Sequence, residues 1–371
     1  MRDVVILGVG LHKFGRFPEK GLGDFARVAA LAALKDAGVD YKDIEAGFCG
    51  RVYDRVNAGL RTFGEIGLTG IPITNVELAC ASSSRAAMLA ADAIAGGIYD
   101  LVLVIGAEKM ARGMLTGGEA EATYQMLMGM FIMPGAYAQM AQRHMHEYGT
   151  KPEHFAQVSV KSHKNAVNNP NAHYQAPLSL EEVMNSRMVA DPITLYQCCP
   201  TSDGASAVVL ASAEKARQYT SEPIYLRAWA GGTPMYENGE VDILEGPTGM
   251  LAQKCYKKAG VGPADIDVAQ VHDAFSPGEI FTIEDLGFCP KGEGGPFVWE
   301  GNTEITGKIP VNTDGGLLSR GHPLGATGGA MIAELTWQLR GQAGARQVAG
   351  AKTALLENAG LGGLNVMIFQ R

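Results

Sequence analysis

At 371 residues the chain is too long for one ordinary core, and its length sets a prior of two domains. A formal net charge of −8 and a pI near 5.5 argue against a nucleic-acid binder, while leaving room for a small anionic ligand held by a few local cations. The composition is globular, 46% hydrophobic and 19% charged, and no run of about eighteen apolar residues marks a membrane span.

Val4 to Val9 reads as a buried strand, and the opening Met1-Arg-Asp-Val-Val-Ile-Leu-Gly8 as strand and turn rather than signal peptide. Asp24 to Ala37 reads as a helix ended by Gly38, with a strand near Glu45 to Val52. Ile71 to Leu78 is an extended apolar run, Ala86 to Ala95 a helix without a breaker before Gly96-Gly97, and Leu101 to Ile105 an apolar strand. This alternation predicts an α/β fold with a largely parallel sheet. From about 107 to 202 the rhythm changes. Met110, Met114, Met126, Met128, Met130, Met133, Met140 and Met145 crowd a stretch also rich in Tyr, His and Asn. We read it as a long helical insertion lying over the first half. The strand pattern returns at Asp203 to Ala211.

The second half repeats the first. Lys35-Asp-Ala-Gly-Val-Asp-Tyr-Lys-Asp-Ile44 matches Lys257-Lys-Ala-Gly-Val-Gly-Pro-Ala-Asp-Ile266, and each copy leads into a strand and a polar loop. Further on, the helix after Cys80 has its counterpart after Gly321-His-Pro-Leu-Gly-Ala-Thr-Gly328. These matches divide the chain into residues 1–218, which include the insertion, and 219–371. In a pseudo-twofold pair equivalent strand-to-helix loops converge, which brings Cys80 opposite His322, with His272 and Glu357-Asn-Ala-Gly-Leu-Gly-Gly363 nearby.

Cys80 stands where an extended run turns into a helix, beside Ser82, Ser83 and Ser84, which offer N-cap chemistry. The positive helix end is expected to lower its pKa and favour the nucleophilic thiolate. A small core residue is the plainer reading of a lone cysteine. A cysteine facing two histidines is instead the minimal activated nucleophile. Asp273 beside His272 is expected to set that ring's tautomer. The glycine-rich C-terminal loop offers a backbone N–H as an oxyanion donor, or is a plain tight turn. The six cysteines show no CxxC pair and no zinc spacing, which reads as reduced thiols in a cytoplasmic protein.

These residues give the chain an almost end-to-end resemblance to the thiolase superfamily. The Cys80 segment, Gly321-His-Pro-Leu-Gly-Ala-Thr-Gly328 and Asn358-Ala-Gly-Leu-Gly-Gly363 carry it. His272-Asp-Ala-Phe275 and Gln197-Cys-Cys-Pro-Thr-Ser-Asp-Gly204 resemble the sterol-carrier-protein-type and archaeal-type branch. The resemblance implies a five-layer α-β-α-β-α fold, a tight homodimer, coenzyme A and its acyl esters as substrates, and no bound cofactor or metal. It implies that Cys80 takes the acyl group, that His322 deprotonates it and helps bind the thioester oxygen, and that His272 contributes to the oxyanion site. The N–H groups of Cys80 and Gly360 would form a second oxyanion hole. The branch often resembles subunits that work with a separate zinc-ribbon and OB-fold protein.

The chain also departs from that pattern. Asn358 and Ala274 occupy the positions where thiolases carry a second reactive cysteine, and Ser83-Ser84 replaces a usual Ser-Gly. The donor of a proton to the leaving carbanion is then a His, a Tyr or water. Three functions follow: thiolysis of a 3-oxoacyl-CoA, retro-aldol cleavage of a 3-hydroxyacyl-CoA side chain, or a non-catalytic scaffold subunit. If the Met-rich insertion, with Tyr124, Phe131 and Tyr137, walls the pocket rather than packing a core or dimer face, the acyl group is bulky, as in 2-benzoylsuccinyl-CoA.

Overall fold

The computed structural model describes residues 1–53, 56–111, 132–233, 244 and 246–371. Met114, Tyr124, Met126, Met128, Met130 and Phe131 lie outside the described residues. The first half contains β1 (Val4–Gly15), α1 (Leu22–Ala37), β2 (Ala46–Gly50), α2 (Ala58–Gly64), β3 (Ile73–Val76), α3 (Ser82–Ala95) and β4 (Leu101–Glu108). Next come α4 (Met133–Tyr148), α5 (Pro152–Ala166), α6 (Leu180–Met184), the ribbon β5 (Met188–Ala190) and β6 (Ile193–Thr194), then β7 (Asp203–Ser212) and α7 (Ala213–Ala216). The remainder is β8 (Ile224–Gly232), α8 (Thr248–Ala259), β9 (Val268–Gln270), α9 (Ser276–Asp285), α10 (Gly294–Trp299), α11 (Thr327–Arg340), β10 (Thr353–Gly360) and β11 (Gly363–Gln370).

The strands lie in the order β3-β2-β4-β7-β1-β8-β11-β10-β9. Reading outward from the β1–β8 contact, β1-β7-β4-β2-β3 on one side is matched by β8-β11-β10-β9 on the other. Val311 bridges to Ala269 where a counterpart of β3 belongs. The duplication extends to the helix ends: α1 and α8 both stop at a left-handed glycine, Gly38 at φ 66° and Gly260 at φ 71°.

Side chains alternate across each strand, so every sheet feeds two layers. Val5, Leu7, Leu103 and Ile105 pack beneath α1 on Phe25, Ala29 and Ala33. Their neighbours Val4, Ile6, Val102 and Val104 face the other way, where they meet α3, α11 and the inner strand residues Leu356 and Met367 of the second half. Leu355, Val366 and Ile368 cover the last face with α8 and α9. The outcome is the expected α-β-α-β-α stack, with α3 and α11 as the middle layer. Close approach needs glycine here: a Cβ on Gly10 would lie 2.3 Å from Ala29 O.

Two expectations are corrected. The sheet is mixed, not largely parallel. β2 runs parallel to β3 and β4, and β9 to β10, but β7 is antiparallel to β1 and β4, and β11 to β8 and β10. A two-residue turn joins β10 to β11, which permits only antiparallel pairing. The described part of the insertion also packs mainly on the second half rather than over the first. α5 packs on α9, α10 and the Gly316–Arg320 turn. Phe155 and Val158 join Ile280 and Phe281 in one core, and a buried Lys161–Glu279 ion pair and a His144–Glu284 contact of 3.1 Å lock the packing.

Candidate active site

Cys80 sits in a 3-10 turn, Ala79–Ala81, between β3 and α3. Ala79 holds φ 44°, a left-handed conformation that costs a residue with a Cβ about 1–2 kcal/mol. The turn is held by Ser82, whose Oγ accepts from Leu78 N at 2.9 Å and donates to Ala79 O at 2.6 Å. The serines therefore do not cap α3, whose N-cap is Ala81 with no side-chain bond. Ser83 Oγ accepts from Gly329 N at 2.9 Å, tying α3 to the start of α11. Nor is the thiol acidified. Burial pushes it up to about 12; a backbone hydrogen bond opposes this, and the Glu108 and Glu77 carboxylates add smaller upward contributions. The expected thiolate is thus replaced by a neutral thiol that needs a base.

His322 precedes a matching 3-10 turn, Leu324–Ala326, at the entrance to α11, and His272 follows β9. Cys80 Sγ and one ring nitrogen from each histidine lie within 4.8 Å of one another. The two rings stand edge to face, 5.2 Å between centroids.

Their hydrogen bonds fix opposite tautomers. Asn358 Nδ2 donates to His272 Nδ1 at 3.1 Å, so Nδ1 is bare and Nε2 carries the proton. In this arrangement Asn358 Oδ1 accepts from Ser84 Oγ at 2.7 Å, and Ser84 Oγ, which has Ala81 O at 3.0 Å as a second acceptor, accepts from Asn365 Nδ2 at 2.8 Å. His322 Nδ1 meets Thr327 Oγ1 at 2.7 Å. The Thr327 hydroxyl donates to Pro323 O at 2.9 Å, so its oxygen accepts from Nδ1–H and leaves Nε2 as a bare lone pair. That Nε2 is buried and has no hydrogen-bond partner among the described residues. Both rings are neutral. Burial first, then Arg320, brings His272 down to about 3, and burial, His272 and Arg320 hold His322 well below its ordinary value.

Asp273 does not set the tautomer of His272, contrary to expectation: its Oδ1 accepts from Leu317 N at 2.7 Å instead. Gly360, at the end of β10, presses on the Cys80 turn so closely that a Cβ there would lie 2.1 Å from Leu78 O. All four sequence-derived candidates are thus drawn to one place.

Among the described residues, two hollows open beside the two histidines. One, of about 320 Å³, is lined by Met133, Arg187, Leu195, Cys199, Phe275 and His322. The other, of about 190 Å³, is lined by Tyr137, Met140, His272, Glu357, Gly360 and Leu364. Sequence reasoning missed Thr327, Cys199 and Glu357, and noticed Asn358 only as a departure. Cys199 N donates to Ala274 O at 2.9 Å, so a cysteine far from Ala274 in sequence lies beside it in space.

A thiol and two neutral imidazoles of opposite tautomer, set at the convergence of a duplicated α/β fold, define an enzyme of acyl transfer. Residues 4–214 match the family model "Thiolase, N-terminal domain" and residues 239–369 match "Thiolase C-terminal domain-like". The chain belongs to the thiolase family and is an acyltransferase of it. It is 44% identical to an acetyl-CoA acetyltransferase of Methanothermobacter thermautotrophicus, over 97% of each chain. It is 38% identical to the benzoylsuccinyl-CoA thiolase subunit BbsB of Thauera aromatica, over 94% of this chain and 91% of that one. Among solved structures, one titled "Ltp2-ChsH2(DUF35) aldolase" superposes with a TM-score of 0.89 at 29% identity, covering 99% of this chain and 97% of that one.

Proposed function

We propose that the enzyme cleaves, or in reverse forms, the C2–C3 bond of a 3-oxoacyl-CoA with free CoA, through an S-acyl intermediate on Cys80. The observation that carries this is the pairing of tautomers around one sulfur. A thiol held near 12 needs a base, and His322, one ring nitrogen of which lies within 4.8 Å of the sulfur, keeps an Nε2 lone pair without a partner among the described residues. His322 takes the thiol proton as sulfur attacks the C3 carbonyl. His272 Nε2–H donates to the oxygen that gains charge, and the N–H groups of Cys80 and Gly360 form the second oxyanion hole.

For the acyl group we propose a bulky one, branched or aromatic, of the 2-benzoylsuccinyl-CoA kind. Met133 and Met140, one in each hollow, give walls that adapt to irregular shapes, and a relative carries that substrate in its name. We also propose a homodimer divided near residue 218 into two halves, a cytoplasmic location, and a separate zinc-ribbon/OB-fold partner. A relative named as a subunit and a neighbour whose title pairs two components support the partner. Purification of the untagged chain tests it: full activity as a homodimer, with no gain from a zinc-ribbon subunit, would sink it.

Intact-mass analysis across a panel of CoA esters tests the central reading. An acyl adduct on Cys80 is expected, and its absence with every ester refutes the covalent route. The neighbour titled an aldolase favours a second reading, retro-aldol cleavage without an acyl-enzyme. Turnover of a 3-hydroxyacyl-CoA in the absence of CoA, undiminished in Cys80→Ala, would establish it in place of the first.

A further inference from the structure

Breaking a C2–C3 bond leaves an electron pair on C2, and that carbon needs a proton. His322 has by then taken the thiol proton, the His272 Nε2–H serves oxygen, and Asn358 and Ala274 carry no acid. Glu357 does. It lies on β10 immediately before Asn358 and lines the second hollow together with His272, Gly360 and Tyr137. Its side chain is only 1% exposed. Its one hydrogen bond among the described residues is accepted by Oε2 from His272 N, at 2.9 Å. No lysine or arginine pairs with it among the described residues. Other buried carboxylates are matched: Glu279 with Lys161, Asp314 with Arg320 and Glu334 with Arg346. Asp273 also lacks an ion pair among the described residues, but it lines neither hollow. An enclosed carboxyl without a cation favours its neutral, proton-carrying form.

We propose that Glu357 is the acid and base of the carbon–carbon step, an inference that rests on the thiolase reading above. In cleavage, the S–C3 bond to Cys80 forms and the C2–C3 bond breaks. The electron pair passes to C2, which takes the proton of the Glu357 carboxylic acid. Glu357, now a carboxylate, then accepts the thiol proton of incoming CoA as its sulfur attacks the acyl group. The Cys80–acyl bond breaks, the Cys80 sulfur recovers its proton from His322, and the enzyme returns to its starting state. Burial, and then Asp285 and Asp273, push this carboxyl up to about 8, so the acid form is present at neutral pH. The other titratable groups on the same hollow are His272, Asp285, which pairs with Lys291, and Tyr137, a neutral phenol whose pKa is raised by burial and then by Glu357.

The test is Glu357→Gln, which keeps an acceptor for His272 N. The probes are acetyl-CoA and succinyl-CoA in D₂O, followed by mass spectrometry of exchange at the α-carbon, with thiolysis of acetoacetyl-CoA alongside. The variant is expected to lose exchange and thiolysis by ~100-fold or more, while iodoacetamide alkylates Cys80 within about twofold of the wild-type rate. Glu357→Asp, which keeps an acid but withdraws it, should fall between the two and guards against a merely misfolded Gln variant. Exchange at the wild-type rate in Glu357→Gln overturns the proposal and leaves the thiolase reading standing. A wild-type enzyme that neither exchanges nor acylates Cys80 with any CoA ester overturns both.

Discussion

At the scale of single residues, the division of labour rests on which imidazole nitrogen carries a proton. Cys80→Ala should lower turnover by more than ~100-fold while leaving the fold intact, since the change removes one sulfur; retention of a tenth of the activity would refute covalent catalysis. Because burial and two carboxylates hold the thiol near 12, its thiolate fraction grows with pH across the whole accessible range. Iodoacetamide alkylation of the ligand-free enzyme should therefore rise about tenfold per pH unit from 7 to 10. In His322→Ala, acylation by substrate should be slow at neutral pH and partly recover at high pH, where thiolate forms unaided. A plateau in the alkylation rate near pH 8 would show an acidified thiol and contradict the geometry. His272→Ala should lower kcat without slowing alkylation, because its N–H serves oxygen rather than sulfur. Asn358→Leu should do the same more weakly, since the ring then loses the donor that fixes its tautomer. Equal loss of thiol reactivity in the His322 and His272 variants would refute this assignment.

At the scale of elements, what was legible in the sequence was what periodicity and repetition encode. The helix ended by Gly38 and its copy ended by Gly260 follow from local pattern, and the repeat alone brings Cys80, His272, His322 and Gly360 together. Strand direction was not legible, because β7 reads as the same apolar run whichever way it lies between β1 and β4. The placement of the insertion depended on a buried Lys161–Glu279 pair between segments 118 residues apart, which no local pattern announces. The thiol's pKa was misjudged because a helix start is visible in sequence, whereas the burial that raises it most, and the Glu108 carboxylate that arrives from β4, come from the tertiary fold. Glu357 was passed over for a related reason: its hollow is closed by Tyr137, which comes from α4. The contact between β10 and the Cys80 turn is the joint on which the site depends. Gly360→Ala would set a Cβ 2.1 Å from Leu78 O, so turn or strand must move. We expect a loss of about 1–3 kcal/mol in stability, with slowed acylation of Cys80, measured by urea denaturation and intact mass. A variant as stable and as readily acylated as the wild type would show that the joint is looser than described.

At the scale of the whole molecule, the site's buried neutral groups shape how stability varies with pH. His272 is held near 3 in the folded state, against an ordinary 6.5. Between those values the unfolded chain binds a proton that the folded chain refuses, so stability rises as pH rises towards 6.5. The carboxyls act in the opposite sense. Asp273 is raised from 3.8 to about 7 and Glu357 from 4.5 to about 8, so the folded chain keeps protons that the unfolded chain has lost. Their contribution is greatest below the ordinary carboxyl values and declines as pH rises to the folded values. The two trends oppose each other up to about 6.5; above that the carboxyls remain, and between about 7 and 8 Glu357 contributes more than Asp273, which is already half ionised at 7. One group titrating across one pH unit changes stability by about 1.4 kcal/mol at most, and its midpoint near 8 makes the change somewhat smaller. Urea denaturation at pH 6.5, 7 and 8 should therefore show the wild type losing on the order of 1 kcal/mol over the last interval. Glu357→Gln cannot ionise and should lose clearly less over that interval, with a residual slope from Asp273. A wild-type slope that persists unchanged in the variant would place the titrating group elsewhere, and with it the proton that the carbon–carbon step requires.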